Sequence, residues 1–204
     1  EVDLVCFTDD INLKSEIWEI KYENPTSIDP TRSAKIYKIL PHIYFPDYEY
    51  SIWVDGNVVI RGDVEKLPEY LIDDINFVAY SHTASIPPID CIYCKATRLL
   101  KSIIGGGYTN LDREAIEKQI IRLRTENYPQ HSGLIAGMVL VRKHNEQSCI
   151  KNMNDWWVEI KNGSKKDELS FNYVAWKNKF KFSYIPGYCS NNEFFTNKKH
   201  VKDN

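Results

Sequence analysis

Short apolar runs of strand length alternate along this chain with segments of helical period. That alternation points to a layered α/β fold on a largely parallel sheet. The runs fall at residues 2–7, 50–54, 76–80 and 133–141, with another near 182–185. Helical segments lie between them: from Thr31 or Ser33 to Leu40, then 90–104, 112–127, 146–160 and 166–178. Thr31 or Ser33 is a suitable amino-terminal cap for the first, and Pro41 stops it. Gly105-Gly106-Gly107 ends the second; it follows a helix and lacks a Gly-Lys-Ser/Thr continuation, so it is no phosphate loop. Ile116, Ile120, Ile121 and Leu123 give the third its apolar face. The competing arrangement is an α+β domain with no ligand crevice.

Within this frame the segment around residue 55 carries the chemistry. Tyr50-Ser51-Ile52-Trp53-Val54 runs directly into Asp55-Gly56-Asn57, and Val58-Val59-Ile60 follows. A carboxylate and an amide at the carboxyl end of a strand lie where α/β sheets bind ligands, and both are oxygen donors for a hard cation. The same tripeptide also makes a tight hairpin turn, since Gly and Asn tolerate positive φ. Both readings stand on spacing alone.

Composition narrows the partners. The 204 residues suffice for one well-packed domain, 1–204, which is possibly one domain of a longer protein. With 26 Lys+Arg against 28 Asp+Glu, nothing marks the chain as a nucleic-acid binder. No apolar run reaches the roughly 18 residues of a membrane span, and the amino terminus does not form a signal peptide. Cysteines 6, 91, 94, 149 and 189 are odd in number and scattered. Cys91 and Cys94 form one Cys-x-x-Cys without a second pair or a Cys/His partner at zinc-site spacing, so free thiols in a reducing compartment are expected. That favours a soluble cytoplasmic protein.

The string Lys38-Ile39-Leu40-Pro41-His42, Phe45-Pro46, Tyr48 through Asn57 and Ile60-Arg61-Gly62-Asp63 resembles a known family. It is similar to the GT-A glycosyltransferase-like domain of plant Golgi proteins of cell-wall and mucilage synthesis and of a chlorella-virus-encoded glycosyltransferase. Trp156-Trp157-x-Glu159 and Asp167-Glu168-Leu169-Ser170-Phe171 extend the resemblance over most of the chain. In its single-domain length and lack of a membrane anchor the chain looks closer to the viral protein, which implies the cytoplasm of a virus-infected cell; the plant resemblance implies instead a Golgi-lumen catalytic domain cut from its anchor. The plant pattern also has His-x-x-Arg and Tyr-x-Glu-Ala after the middle strand. This chain keeps Ser81-His82 and Cys91-x-Tyr93, but Ser85 or Ile86 replaces the Arg, and Lys95 stands beside Ala96 where Glu is expected.

The resemblance implies a GT-A, Rossmann-like three-layer α/β fold with a central, mostly parallel mixed sheet. It implies a UDP-sugar donor, a glycan acceptor, and Mn2+ or Mg2+ on an Asp-x-Asp type motif. Here that motif is Asp55-Gly56-Asn57, so Asp55 and Asn57 are the expected metal ligands. A further ligand late in such chains points to His200, whose plain reading is a solvated residue of a basic tail. Thr8 and Asp9, ending the first strand, are expected at the base or ribose. Arg32 and Lys35, one helical turn apart, are expected at the phosphates or the base-ribose unit, or else on a solvated helix face. Gly56, Ala136 and Gly137 are expected beside the donor, because a glycine inside a strand admits close approach. Asp167 and Glu168 are the catalytic candidates: Asp167 first as general base if the reaction inverts, the same carboxylate positioning the sugar or stabilising positive charge if it retains, with helix-dipole stabilisation as the plain alternative. Trp156, Trp157 and Trp176 read as core more readily than as sugar platforms. A nucleotide-sugar or glycan-binding module without turnover is the second functional reading.

Overall fold

The computed structural model describes residues 2–25, 29–107 and 112–198. Eight strands and six α-helices are formed there in the order β1 (Val5–Thr8), β2 (Glu19–Tyr22), α1 (Pro30–Ile39), α2 (Pro41–Tyr44), β3 (Ser51–Val54), β4 (Val58–Ile60), β5 (Phe77–Ser81), α3 (Ile92–Ile104), α4 (Arg113–Thr125), β6 (Ile135–Arg142), α5 (Gln147–Asn162), α6 (Phe171–Asn178), β7 (Ser183–Tyr184) and β8 (Phe195–Asn197).

The central sheet is mixed, in the order β3-β6-β5-β7. Strands β3, β5 and β7 run one way, and β6 runs against both of its neighbours. Every residue of β5 is buried, and its side chains divide between two cores at the period of two that a pleated strand imposes. Phe77 and Ala79 face the helical layer with Met153, Trp156 and Phe171. Val78 and Tyr80 face the opposite layer with Leu67, Cys189 and Phe195. That second layer is not helical. It consists of the antiparallel β4–β8 ribbon and the 3-10 segment Val64–Tyr70, which completes three layers.

Several local expectations shift. Asp29, not Thr31 or Ser33, caps α1: its carboxylate accepts from Thr31 N–H, and Pro30 takes the first helical position, where its missing N–H costs nothing. The helix expected over 166–178 is broken into a 3-10 turn, Asp167–Leu169, followed by α6. The segment leading into the basic tail contains a strand the sequence does not mark, β8, which pairs with β4 from Val58↔Asn197 to Ile60↔Phe195. Strand β2 pairs in parallel with β1, although nothing in residues 19–22 marks it as a strand beforehand.

Candidate active site

Asp55-Gly56-Asn57 is a turn but not a hairpin. Val58 N–H donates to Asp55 O at 2.9 Å, closing a four-residue turn, yet the strands on either side belong to different sheets. β3 pairs with β6 and β4 pairs with β8, so the turn carries the chain from the central sheet to the outer ribbon. Asp55 is thereby left at the carboxyl end of a sheet strand, its own N–H bound to Met138 O at 2.9 Å.

Below it lies a network of opposite charges. Lys38, on α1, is buried with 3% of its surface exposed, and its ammonium sits 3.1 Å from Asp55 Oδ1 and 2.6 Å from Asp167 Oδ2. Lys35, one turn earlier, reaches the same Asp167 oxygen at 3.0 Å. Burial alone depresses the Lys38 ammonium, but the two carboxylates outweigh it and hold the group firmly protonated. Burial likewise pushes the Asp167 carboxyl up, and Lys35 and Lys38 more than reverse that, keeping it well below the ordinary carboxylate range. Glu168 pairs with Lys95 of α3 at 3.4 Å. Three carboxylates thus face three ammonium groups.

The surrounding fold fixes this network. Trp53 Nε1–H donates to Asp55 Oδ1 at 2.7 Å. Trp156 is buried as core, and its Nε1–H lies 3.3 Å from Asp167 O and 3.2 Å from Ser170 Oγ, which ties the 3-10 turn to α5. Arg142, buried at the end of β6, donates to Lys38 O at 2.5 Å; burial pulls its guanidinium down to about 10. In β6 the pairing with β5 jumps from Ala79↔Leu140 to Tyr80↔Ala136, so residues 137–139 bulge out of that register. Gly137 lies in the bulge, and a Cβ there would stand 3.1 Å from Asp167 Oδ2 and 3.5 Å from Lys38 Nζ. The glycine leaves room for the carboxylate. At the end of β5, burial and the nearby Lys95 ammonium lower His82 to about 4, so its ring is neutral at pH 7.

Of the residues expected from sequence, the fold brings Lys35, Asp55, Gly137 and Asp167 into one cluster. Gly56 and Asn57 lie on its rim, Ala136 is buried beside Gly137, and Glu168 is adjacent. Arg32 goes elsewhere: its guanidinium donates to Ile160 O at 3.0 Å and Gly163 O at 2.7 Å and pairs with Asp29 at 2.5 Å. These bonds cap the carboxyl end of α5, whose last carbonyls lack helical partners. Thr8 and Asp9 lie at the end of β1, which pairs with β2 outside the central sheet; Phe7 stacks on Tyr37 of α1, and Thr8 Oγ1 accepts from Asp10 N–H in its own loop. His200 lies outside the described residues. Lys38, Trp53, Lys95, His82 and Arg142 were not anticipated. Lys38 and Trp53 stand inside the quoted family string and His82 and Lys95 in the pattern that follows it; Lys38 also follows Lys35 at a spacing that shares a helix face.

The donor chemistry at the turn fits a hard divalent cation. Both hydrogen bonds to the Asp55 carboxylate go to Oδ1, which leaves Oδ2 for an ion. Asn57 adds a half-buried amide, while its backbone O accepts from Lys198 N–H at 2.8 Å. Magnesium-type ions take one or two protein oxygens and complete their shell with water and phosphate. A separate depression of about 520 Å³ between α4 and α5 is lined by Glu114, Lys118, Arg122 and Glu159 and contains none of these residues.

Comparison with known proteins assigns a glycosyltransferase-like class to the domain that carries this sheet-end turn. Residues 8–200 match the profile of the TOD1/MUCI70 glycosyltransferase-like domain, and the chain belongs to that family. It is 24% identical over 180 residues to the probable hexosyltransferase MUCI70 of Arabidopsis thaliana, across 81% of this chain. The match spans 28% of that relative's length. No solved structure matches the chain.

Proposed function

We propose that this domain is a metal-dependent glycosyltransferase of GT-A type, moving a hexose or deoxyhexose such as glucose, galactose or rhamnose from a UDP-sugar to a glycan acceptor. The observation that carries this reading is the Asp55 turn at the end of β3, outside any hairpin and backed by Lys38 and Asp167. Membership of a glycosyltransferase-like family supports a sugar donor and acceptor, and the hexosyltransferase relative supports the sugar class.

In glycosyl transfer the bond from the anomeric carbon to the leaving phosphate breaks through an oxocarbenium-like state as the acceptor oxygen bonds to that carbon. Asp55 and Asn57 would hold Mn2+ or Mg2+, which would supply positive charge at the leaving diphosphate. Lys38 and Trp53 fix Asp55 Oδ1 and so aim the other oxygen outward. Asp167, held anionic between two lysines, is a weak base; its place is as a fixed negative charge beneath the positive sugar. This changes the order of the two catalytic candidates. Glu168, whose side chain meets Asp167 and whose ammonium partner Lys95 is a looser 3.4 Å away, is the carboxylate that takes the acceptor proton in an inverting reaction.

One observation favours the second reading, a nucleotide-sugar or glycan-binding module without turnover. Each of the three carboxylates already pairs with a lysine, so none stands ready as an unpaired base.

Isothermal titration with UDP, with and without manganese, tests the first reading. Metal-dependent binding that Asp55→Ala abolishes is expected, and UDP binding indifferent to metal would sink the metal-dependent mechanism. Release of UDP from a panel of UDP-hexoses, lost in Glu168→Gln, separates an enzyme from a binding module, which releases none.

A further inference from the structure

Away from the Asp55 cluster, the fold supplies a partner that the Cys91-x-x-Cys94 motif lacks in the sequence. Cys91 is the amino-terminal cap of α3 and is buried; Cys94 lies in the first turn and is exposed. Residues i and i+3 at a helix start share a face, which turns the two thiols towards each other. His131 arrives from the segment between α4 and β6, far along the chain. One of its ring nitrogens and the two sulfurs all lie within 4.8 Å of one another.

Three details point to a ligand. A tetrahedral ion with metal–sulfur bonds of about 2.3 Å holds two thiolates roughly 3.8 Å apart and a thiolate and imidazole slightly closer, which the observed cluster accommodates. His131 Nδ1 is already 2.8 Å from Asp90 Oδ1, the carboxylate–histidine pairing that orients a metal-bound imidazole and leaves Nε2 for the ion. His131 also adopts a left-handed φ of 56°, an uncommon conformation for a residue with a Cβ, and this conformation is part of the turn that brings the ring to the thiols.

We propose that Cys91, Cys94 and His131 bind one zinc ion, with Asp90 orienting the imidazole and water in the fourth position. Two thiolates and an imidazole suit a borderline-soft ion, whereas the oxygen donors at Asp55 suit a hard one, so the two sites select different metals. The zinc joins the start of α3 to the segment entering β6. Lys95, next to Cys94, pairs with Glu168, and the β6 segment leads to Gly137; the ion therefore braces two walls of the candidate active site.

The test uses the whole chain, reduced with a phosphine, stripped with a chelator and titrated with cobalt. One equivalent of Co2+ should give the thiolate-to-cobalt charge-transfer band and the intense visible bands of a tetrahedral site, and zinc should displace it. Cys94→Ser and His131→Ala, both at exposed positions, should each weaken cobalt binding by at least about tenfold and shrink the charge-transfer band in Cys94→Ser. Asp90→Asn should bind more weakly with the same spectrum. A reduced protein that shows no charge-transfer band, or Cys94→Ser and His131→Ala variants that bind cobalt as the parent does, would overturn the proposal. Neither readout involves UDP or manganese, so failure here leaves the glycosyltransferase reading where it stood.

Discussion

An ammonium group taken out of water is tolerated only if charge and hydrogen bonds replace its hydration, and Lys38 meets that condition twice, through Asp55 and Asp167. His82 shows the opposite solution, because it is half-buried near Lys95 and Lys166 and avoids the charge by staying neutral; Asp167 only partly offsets them. This has a pH consequence. The ring's ordinary value of 6.5 falls to about 4 in the folded protein, so between those values the unfolded chain binds a proton that the folded one excludes. Stability should therefore fall as pH drops from 6.5 towards 4, and His82→Gln should flatten the profile there. Urea midpoints at pH 7, 5.5 and 4.5 for the two proteins check this; parallel profiles would show that His82 is not the group excluded. Residue types with chemistry of their own, such as Asp55, Lys35, Gly137 and Asp167, were legible in the sequence. Trp53, Lys95 and Arg142 were not, because their roles consist of contacts made by distant segments.

Among the elements, the longer and strongly periodic ones were legible, and the short ones were not. A three-residue strand such as β8, set among Asn and Ser, carries no period to detect; β4 and the apolar layer beneath it create the strand. The same ribbon explains Gly62. Arg61 and Gly62 N–H both donate to Phe194 O, and a Cβ on Gly62 would stand 2.4 Å from Glu193 O, a backbone atom that cannot swing aside. Gly62→Ala should accordingly push the segment before β8 off the ribbon and cost about 1–3 kcal/mol, the range for overpacking. Gly56→Ala is the control, since a Cβ there meets nothing within 4 Å. Chemical denaturation of both variants checks the contrast, and equal losses would refute the steric account.

At the scale of the whole molecule, the site is assembled from α1, β3, β6 and the turn before α6, which explains why no single motif disclosed it. The carboxyl-terminal region joins it through Lys198, whose N–H holds Asn57 O at 2.8 Å, two residues before His200. Two truncations separate what this region does for the fold from a part in the proposed metal site. Ending the chain after Gly187 removes Cys189, Phe194 and Phe195 from the second core and leaves β4 unpaired. Losing two buried aromatic rings costs more than a marginally stable domain can spare, so this chain should lose its cooperative melting transition. Ending it after Lys198 keeps β8 and the bond to Asn57, so the melting temperature without metal should match the full chain. If His200 completes the cation's shell, this second truncation should still weaken manganese-dependent UDP binding by at least about tenfold, and His200→Ala should reproduce the loss. Unchanged manganese dependence in both would assign the whole protein share of the site to Asp55 and Asn57, with water and the diphosphate supplying the remaining oxygens.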